Sequence, residues 1–160
     1  HPFTVDRDFD VDEYDFMLFD CNQQEISLDL LERAQASVVL DAGSFKSNIE
    51  KFLERADIII ASEDFRDNEG RDLLHMDCGA TNKAITRGEK TILCPDGEVP
   101  VEPVEAVDTL GAGDIFHGAF CYGYFEKGME FKEALRFAAR IAGESVRYRG
   151  PKAWQEAYLK

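Results

Sequence analysis

"SVVLDAGSFKSNIEKFLERADIIIAS", residues 37–62, reads as three elements in a row. "SVVLDAG" (37–43) is apolar and rich in β-branched residues, and it breaks at Gly43, the pattern of a buried strand. In "SNIEKFLERA" (47–56), Ile49, Phe52, Leu53 and Ala56 fall on one helical face. "DIIIAS" (57–62) is a second buried strand. Upstream, the apolar run "FMLFD" (16–20) and "LDLLERAQA" (28–36) extend the alternation, with Leu28, Leu31 and Ala34/Gln35 at helical spacing. Strand, helix, strand, helix, strand predicts an α/β fold with a mainly parallel sheet under helices. Ligands of such sheets bind at the carboxyl ends of the strands. Those ends are here Asp20, Asp41-Ala42-Gly43 and Ser62-Glu63.

Downstream the pattern changes. Residues 63–82 hold at most one short helix. "NKAITRG" (82–88) and "EKTILC" (89–94) read as two strands around a tight turn at Arg87-Gly88-Glu89. "PDG" (95–97) is a turn by its Pro and Gly chemistry. "EVPVEPVEAV" (98–107) is extended, with Pro100 and Pro103 confining it to edge or irregular pairing. A helix is expected from Ala112 or Gly113 to Phe125. A stronger one spans 130–148, with Phe131, Ala134, Leu135, Ala138, Ile141 and Ala142 as its buried stripe. Gly150-Pro151 ends that unit, and Trp154 reads as a packing aromatic over the last helix.

The 160 residues are 44% apolar, enough for a real core in one ordinary domain or part of a larger one. Eighteen Lys and Arg stand against 32 Asp and Glu, a net charge of −14. That field repels nucleic acid and anionic membrane, so neither is an expected partner. A phosphorylated ligand would need local backbone N–H groups and a cation to offset it. The acidic opening, "TVDRDFDVDEYD" (4–15), reads as a solvated surface segment. Cys21, Cys78, Cys94 and Cys121 are widely spaced, with no zinc-type cluster, and read as reduced thiols of a cytoplasmic protein. No run is long and apolar enough for a membrane span and no signal peptide is visible.

"VDTLGAGDIFHGAF" (107–120) carries the chemistry. A helix N-terminus offers unpaired N–H groups and the positive end of its dipole. Glycines let a bulky anion approach that backbone closely. Asp114 sits at the rim, placed to take a proton from a hydroxyl attacking the anion, or else simply to cap the helix. A dinucleotide-dependent oxidoreductase is a poor fit, because its glycine motif follows the first strand and these glycines come late and end in GD.

This stretch resembles the DTxGAGDxFxGAF signature of the PfkB/ribokinase family of carbohydrate kinases. "VVLDAGS" (38–44), "ADIIIASEDF" (56–65) and "ITRGEK" (85–90) agree with that family in order and spacing, and the resemblance runs from about residue 14 to 150. It implies a ribokinase-like three-layer α/β/α sandwich with a mainly parallel central sheet. It implies ATP-dependent phosphorylation of a sugar hydroxyl. Asp114 would be the general base, and Gly111, Ala112 and Gly113 the anion hole. Thr86, Arg87, Gly88 and Glu89 would line the loop along ATP, with Arg87 either a phosphate contact or an exposed turn charge. Mg²⁺ would bridge the phosphates. Asp108 and Thr109, faced by Ser145, Tyr148 and Gly150, match a loop that binds a monovalent cation.

The chain departs from the family in several places. The ATP loop usually reads T-x-G-x-x-G, and here "TRGEKT" puts Thr91 at the last glycine. The strand-end N-x-x-E motif is replaced by Ser62, Glu63, Asp64 and Phe65, closer to the ketohexokinase-like branch. Glu63 or Asp64 can hold magnesium through water, or Ser62 can cap a helix. Tyr148 stands where an arginine is common, which counts against cation activation. Ala139 replaces an asparagine that contacts the nucleotide. His117, at a position where the family often has asparagine, fits either packing near the adenine or a structural role.

The resemblance covers only the family's C-terminal, nucleotide-binding half. Residues 1–160 are therefore expected to be one partial domain, with the N-terminal half, its sugar site and the β-sheet lid outside this chain. A homodimer through that lid is implied. The expected substrate is a sugar or sugar-like small molecule, with a nucleoside kinase or a non-catalytic nucleotide- or sugar-sensing remnant as alternatives.

Overall fold

The structure, a computed structural model, describes residues 10–46 and 48–158. The chain divides into two compact units, His1–Thr86 and Arg87–Lys160. The first contains β1 (Phe16–Phe19), α1 (Gln24–Arg33), β2 (Ser37–Ala42), α2 (Ile49–Arg55), β3 (Ile58–Ser62) and all but the last residue of β4 (Asn82–Arg87). All neighbouring pairs are parallel, with Leu18 beside Val39, Leu40 beside Ile59 and Ala61 beside Ile85. Val38, Val39 and Leu40 are consecutive and fully buried, as are Ile59 and Ile60. Successive strand residues face opposite sides, so both faces of this sheet are covered. That is why the strands read as unbroken apolar runs.

Helix α2 presents Ile49, Phe52 and Leu53 inward, and the Phe52 ring meets Phe19 at 5.7 Å. Burying such a side chain contributes about 2–3 kcal/mol. Polar links set the order of the elements. Arg55 donates to the carbonyls of Ala34 and Ala36, both at 3.1 Å, just before β2. The Asp57 carboxylate accepts the Val38 amide at 2.8 Å. Helix α1 starts at Gln24, four residues ahead of the apolar pattern, and no side chain caps it. The expected short helix of the middle segment is the 3₁₀ turn Leu73–His75, whose Asp72 accepts the amides of Leu74 and His75. At Gly79 a Cβ would lie 2.2 Å from the Glu54 carbonyl oxygen, so only glycine fits.

The second unit holds β5 (Lys90–Cys94), β6 (Gly97–Val99), α3 (Ala112–Cys121), α4 (Phe131–Ser145) and α5 (Ala153–Tyr158). β5 follows β4 in sequence through Gly88-Glu89, with Gly88 at φ 61°, the left-handed region that glycine occupies without strain. β5 and β6 are antiparallel across Pro95-Asp96. Pairing stops after Val99, because Pro100 has no N–H to give a ladder. The expected helix to Phe125 is α-helical only to Cys121 and continues as a wider π turn over Tyr122–Glu126. There Gly123 packs so closely that a Cβ would stand 3.2 Å from the Met129 sulfur and 3.3 Å from Phe137. On α4 the buried stripe is Ala134, Leu135, Ala138, Ile141 and Ser145, while Phe131 and Ala142 are half-buried. α5 follows the Gly150-Pro151 break, and its Trp154 indole donates to the Pro151 carbonyl at 2.9 Å.

Of the acidic opening, residues 4–9 lie outside the described residues, and Val11 just after them is buried. Ser47 of the second expected helix also lies outside them. No helix among the described residues is long and apolar enough to cross a membrane. All four cysteines are free thiols.

Candidate active site

The segment leading into α3 is held by its own unit. The carbonyl of Val146 accepts the amides of Val107 at 2.7 Å and Asp108 at 3.1 Å. The Asp108 carboxylate then ties the loop from within: one oxygen accepts the Leu110 amide at 3.0 Å, the other the Gly150 amide at 2.9 Å. These two backbone donors, Leu110 first and then Gly150, hold the Asp108 carboxyl below the usual carboxylate range, with the positive charge of Arg149 adding to the effect. Gly111 turns the chain into the helix at φ 75°, and a Cβ there would touch Pro151 at 3.4 Å. The 146–151 segment is thus the backing wall of the glycine turn.

Gly111 is the N-cap residue and supplies no side-chain cap. The Ala112 amide donates to the Thr109 carbonyl at 3.2 Å, and the Ile115 amide makes the first helical bond, to Gly111. The amides of Gly111, Gly113 and Asp114 have no partner among the described residues. Asp114 is exposed, with no hydrogen-bond or ion-pair partner among the described residues. Its Oδ2 lies 3.9 Å from where a Gly111 Cβ would stand, so the carboxylate hangs beside the turn. At Gly113 a Cβ would meet nothing within 4 Å and φ is not positive. The fold itself does not require that glycine, and the space beside its free amide is open. The arrangement offers free N–H donors, a helix dipole and one unengaged base in the first turn of α3.

Other expected site residues lie in different settings. His117 is buried, and its Nδ1 lies 2.8 Å from the Gly113 carbonyl, a geometry that fits the structural of its two readings. Thr109 is exposed, and its carbonyl serves the Ala112 amide. Tyr148 reaches Glu144 at 3.2 Å, and the Ser145 hydroxyl donates to Ala142 at 2.7 Å. Among these loop residues Asp108 and Gly150 are joined directly, the Gly150 amide donating to the carboxylate. Val107 and Leu110, on either side of Asp108-Thr109 in sequence, are 64% and 70% exposed apolar side chains.

In the first unit, the Ser62 hydroxyl donates to the Gly43 carbonyl at 2.7 Å, joining the ends of β2 and β3. No helix starts there: Phe65 closes a turn onto the Ser62 carbonyl at 3.1 Å, so the capping alternative is set aside. Glu63 is half-buried in that turn and Asp64 exposed. The Thr86 hydroxyl donates to Ala61 at 3.2 Å. Across the boundary in sequence, Gly88 and Glu89 are exposed at the turn, while Arg87 is half-buried and folds back onto β5. Its Nε donates to the Thr91 carbonyl at 2.9 Å and its Nη2 to the Thr91 hydroxyl at 2.6 Å.

Two features escaped sequence reasoning. The third free donor of the turn belongs to Asp114, not Ala112; the rule that a helix leaves its first four amides unpaired could have included it. The second is the part played by Thr91, noted only as a departure from glycine.

Comparison with known proteins places these features in context. Residues 25–157 match the sequence profile described as pfkB family carbohydrate kinase. A cytidine kinase from Thermococcus kodakarensis is 36% identical over 96 residues, 56% of this chain and 33% of that protein. The structure superposes on a ribokinase from Thermotoga maritima with a TM-score of 0.74 at 24% identity, over 93% of this chain and 58% of that one. An Arabidopsis thaliana ribokinase solved with ribose and ATP gives 0.68 at 21% identity, over 91% of this chain and 56% of that one. The fold is therefore ribokinase-like, as the resemblance implied. The chain spans a third of the cytidine kinase and little more than half of each ribokinase.

Proposed function

The chain belongs to the pfkB family of carbohydrate kinases, and from that premise we propose that it is the nucleotide-binding, base-bearing part of an ATP-dependent kinase whose acceptor is a sugar hydroxyl. One observation carries the reading: an exposed, unpartnered Asp114 carboxylate in the first turn of α3, beside the partnerless amides of Gly111, Gly113 and Asp114. Phosphoryl transfer needs little covalent help from a protein. It needs positioning, a proton acceptor for the attacking hydroxyl and stabilisation of charge on the equatorial oxygens. Asp114 takes the hydroxyl proton on a carboxylate oxygen. The three amides and the helix dipole meet the charge of the migrating group. Gly113 leaves room for that approach, and Gly111 sets the angle of the turn.

Mg²⁺ supplies charge neutralisation on the phosphates when bound with the nucleotide. Among the described residues no three His, Cys, Asp or Glu side chains gather into a cage. Magnesium keeps most of its waters and needs few protein carboxylates, so Glu63 is the one proposed to lean on it. Asp108 accepts the amides of Leu110 and Gly150 and the Thr109 carbonyl accepts the Ala112 amide, so their part is to brace the turn. Arg87, Gly88 and Glu89 belong to the ATP-side loop, and Thr86 and Ser62 fix the strand ends on their own side. Because the chain spans only part of its relatives' length, the sugar site, the lid and a dimer through that lid are proposed to lie outside these 160 residues.

A nucleoside acceptor is the second reading, favoured by the likeness to a cytidine kinase. The test is ATP turnover by the complete protein across pentoses, hexoses and nucleosides, with Asp114→Asn alongside. The expected result is a loss of about 10²–10⁴ in kcat with the KM for ATP little changed. Unimpaired turnover by Asp114→Asn removes the base assignment, and the preferred acceptor separates the two readings.

A further inference from the structure

The segment from Arg87 to Glu98 contains a chain of polar contacts that the base and anion turn do not use. The Thr91 hydroxyl donates to Glu98 Oε2 at 2.7 Å. Its single proton is thereby spent, so toward Arg87 it accepts only, at 2.6 Å from Nη2. Nε of the same guanidinium donates to the Thr91 carbonyl at 2.9 Å. The two contacts grip one edge of the planar fork, and a cation at one end and an anion at the other orient the hydroxyl between them. Thr91 sits where the family resemblance puts a glycine, which has no hydroxyl to offer.

A free arginine carries substantial rotamer entropy, and ordering it on a ligand costs affinity. Here that cost is met in the folded protein. Of the five N–H donors of the guanidinium, the two bound to Thr91 are committed, and the other edge remains in fork geometry. Arg87, Thr91 and Glu98 all lie between residues 87 and 98, at the end of β4, on β5 and on β6, so the device is local.

We propose that Thr91 and Glu98 are positioning residues that lock Arg87 against β5 so that its remaining donors form a preset fork for the terminal phosphates of the nucleotide. The proposal rests on the kinase reading above and adds to it the residues that preset the phosphate contact. Neither Thr91 nor Glu98 touches the nucleotide, and their effect is felt through Arg87 alone.

The test is calorimetric titration of ATP and, separately, adenosine into the complete protein, as wild type, Thr91→Val, Thr91→Ser and Glu98→Ala. An NMR signal from the Arg87 Nε–H is followed in each. Thr91→Val should weaken ATP about tenfold, leave adenosine unchanged and shift the Nε–H signal. Thr91→Ser should restore both, and Glu98→Ala should give a smaller loss in the same direction. Glu98 is exposed, so that variant folds even where Thr91→Val does not. ATP binding that is tight in wild type and equal in Thr91→Val and Glu98→Ala overturns the positioning role and leaves the kinase reading standing. Equal losses for ATP and adenosine also overturn it, since the effect is then on the fold. A wild-type protein that binds no ATP overturns both.

Discussion

Gly111 and Gly113 stand two residues apart, yet they answer to different demands. Gly111 is required by the protein through its backbone: a φ of 75° strains any side chain, although a Cβ would only reach van der Waals contact with Pro151. Gly111→Ala should cost about 1–2 kcal/mol in a urea unfolding experiment, with activity falling alongside. Gly113 has ordinary φ and empty space where a Cβ would go. Gly113→Ala should leave stability unchanged or raise it by up to about 1 kcal/mol, since alanine is the better helix residue. It should nonetheless weaken turnover, because the methyl group occupies the approach to the free amide. A Gly113→Ala protein of full activity would show that nothing binds there. Gly79→Ala is the reverse control: the contact with the Glu54 carbonyl should cost about 3 kcal/mol, with no direct part in chemistry.

Helix α3 is useful because other elements hold its entrance still. Asp108 fastens residues 108–110 to Gly150, and Val146 takes two amides from the incoming chain. The Asp108 carboxyl titrates below its unfolded value, so its contribution is complete above about pH 4 and fades as acid protonates the folded form. Wild type should therefore be more stable than Asp108→Asn at pH 7, and the difference should shrink below about pH 4, read from denaturant midpoints across pH. A gap that stays constant through acid would mean that ionisation plays no part in the clasp. α4 carries the packing of this unit. Leu135 is fully buried in its stripe, and Leu135→Ala should cost about 2–5 kcal/mol by urea denaturation. Lys132 on the same helix reaches the Asp96 carboxylate at 2.8 Å and its carbonyl at 3.1 Å. It fixes the β5–β6 turn at a solvent-exposed site where ion pairs contribute little.

Across the whole chain, burial decides which thiols can react. Cys21 and Cys121 are 2% and 3% exposed, and burial pushes both thiols up to about 11. Burial raises Cys94 as well, though Lys132 nearby offsets part of it. Cys78 alone of the four is half-exposed. Native protein should thus show one fast thiol and three slow ones toward a disulfide reagent, with mass spectrometry placing the fast label on Cys78. Three fast thiols would contradict the packing of both units. The net charge of −14 acts at the same reach: it opposes every incoming polyanion, so under the proposed reading a phosphate would have to be held by short-range N–H and guanidinium groups.

Much of this was written in the order of the residues. Buried strands announce themselves as apolar runs, because a sheet covered on both faces leaves no polar alternation, and "VVL" and "III" behave as that rule demands. The glycine turn and Asp114 were legible because a positive φ and an open helix end call for particular residue types at fixed spacing. What folding alone decided was which groups are already spent. Ala112's amide goes to Thr109, His117 turns inward, Ser62 joins two strands instead of capping a helix, and Thr91 captures Arg87. Each depends on a partner brought into reach by turns and packing, and hydrogen-bond capacity, once used, is not recorded in the identity of the residue that used it.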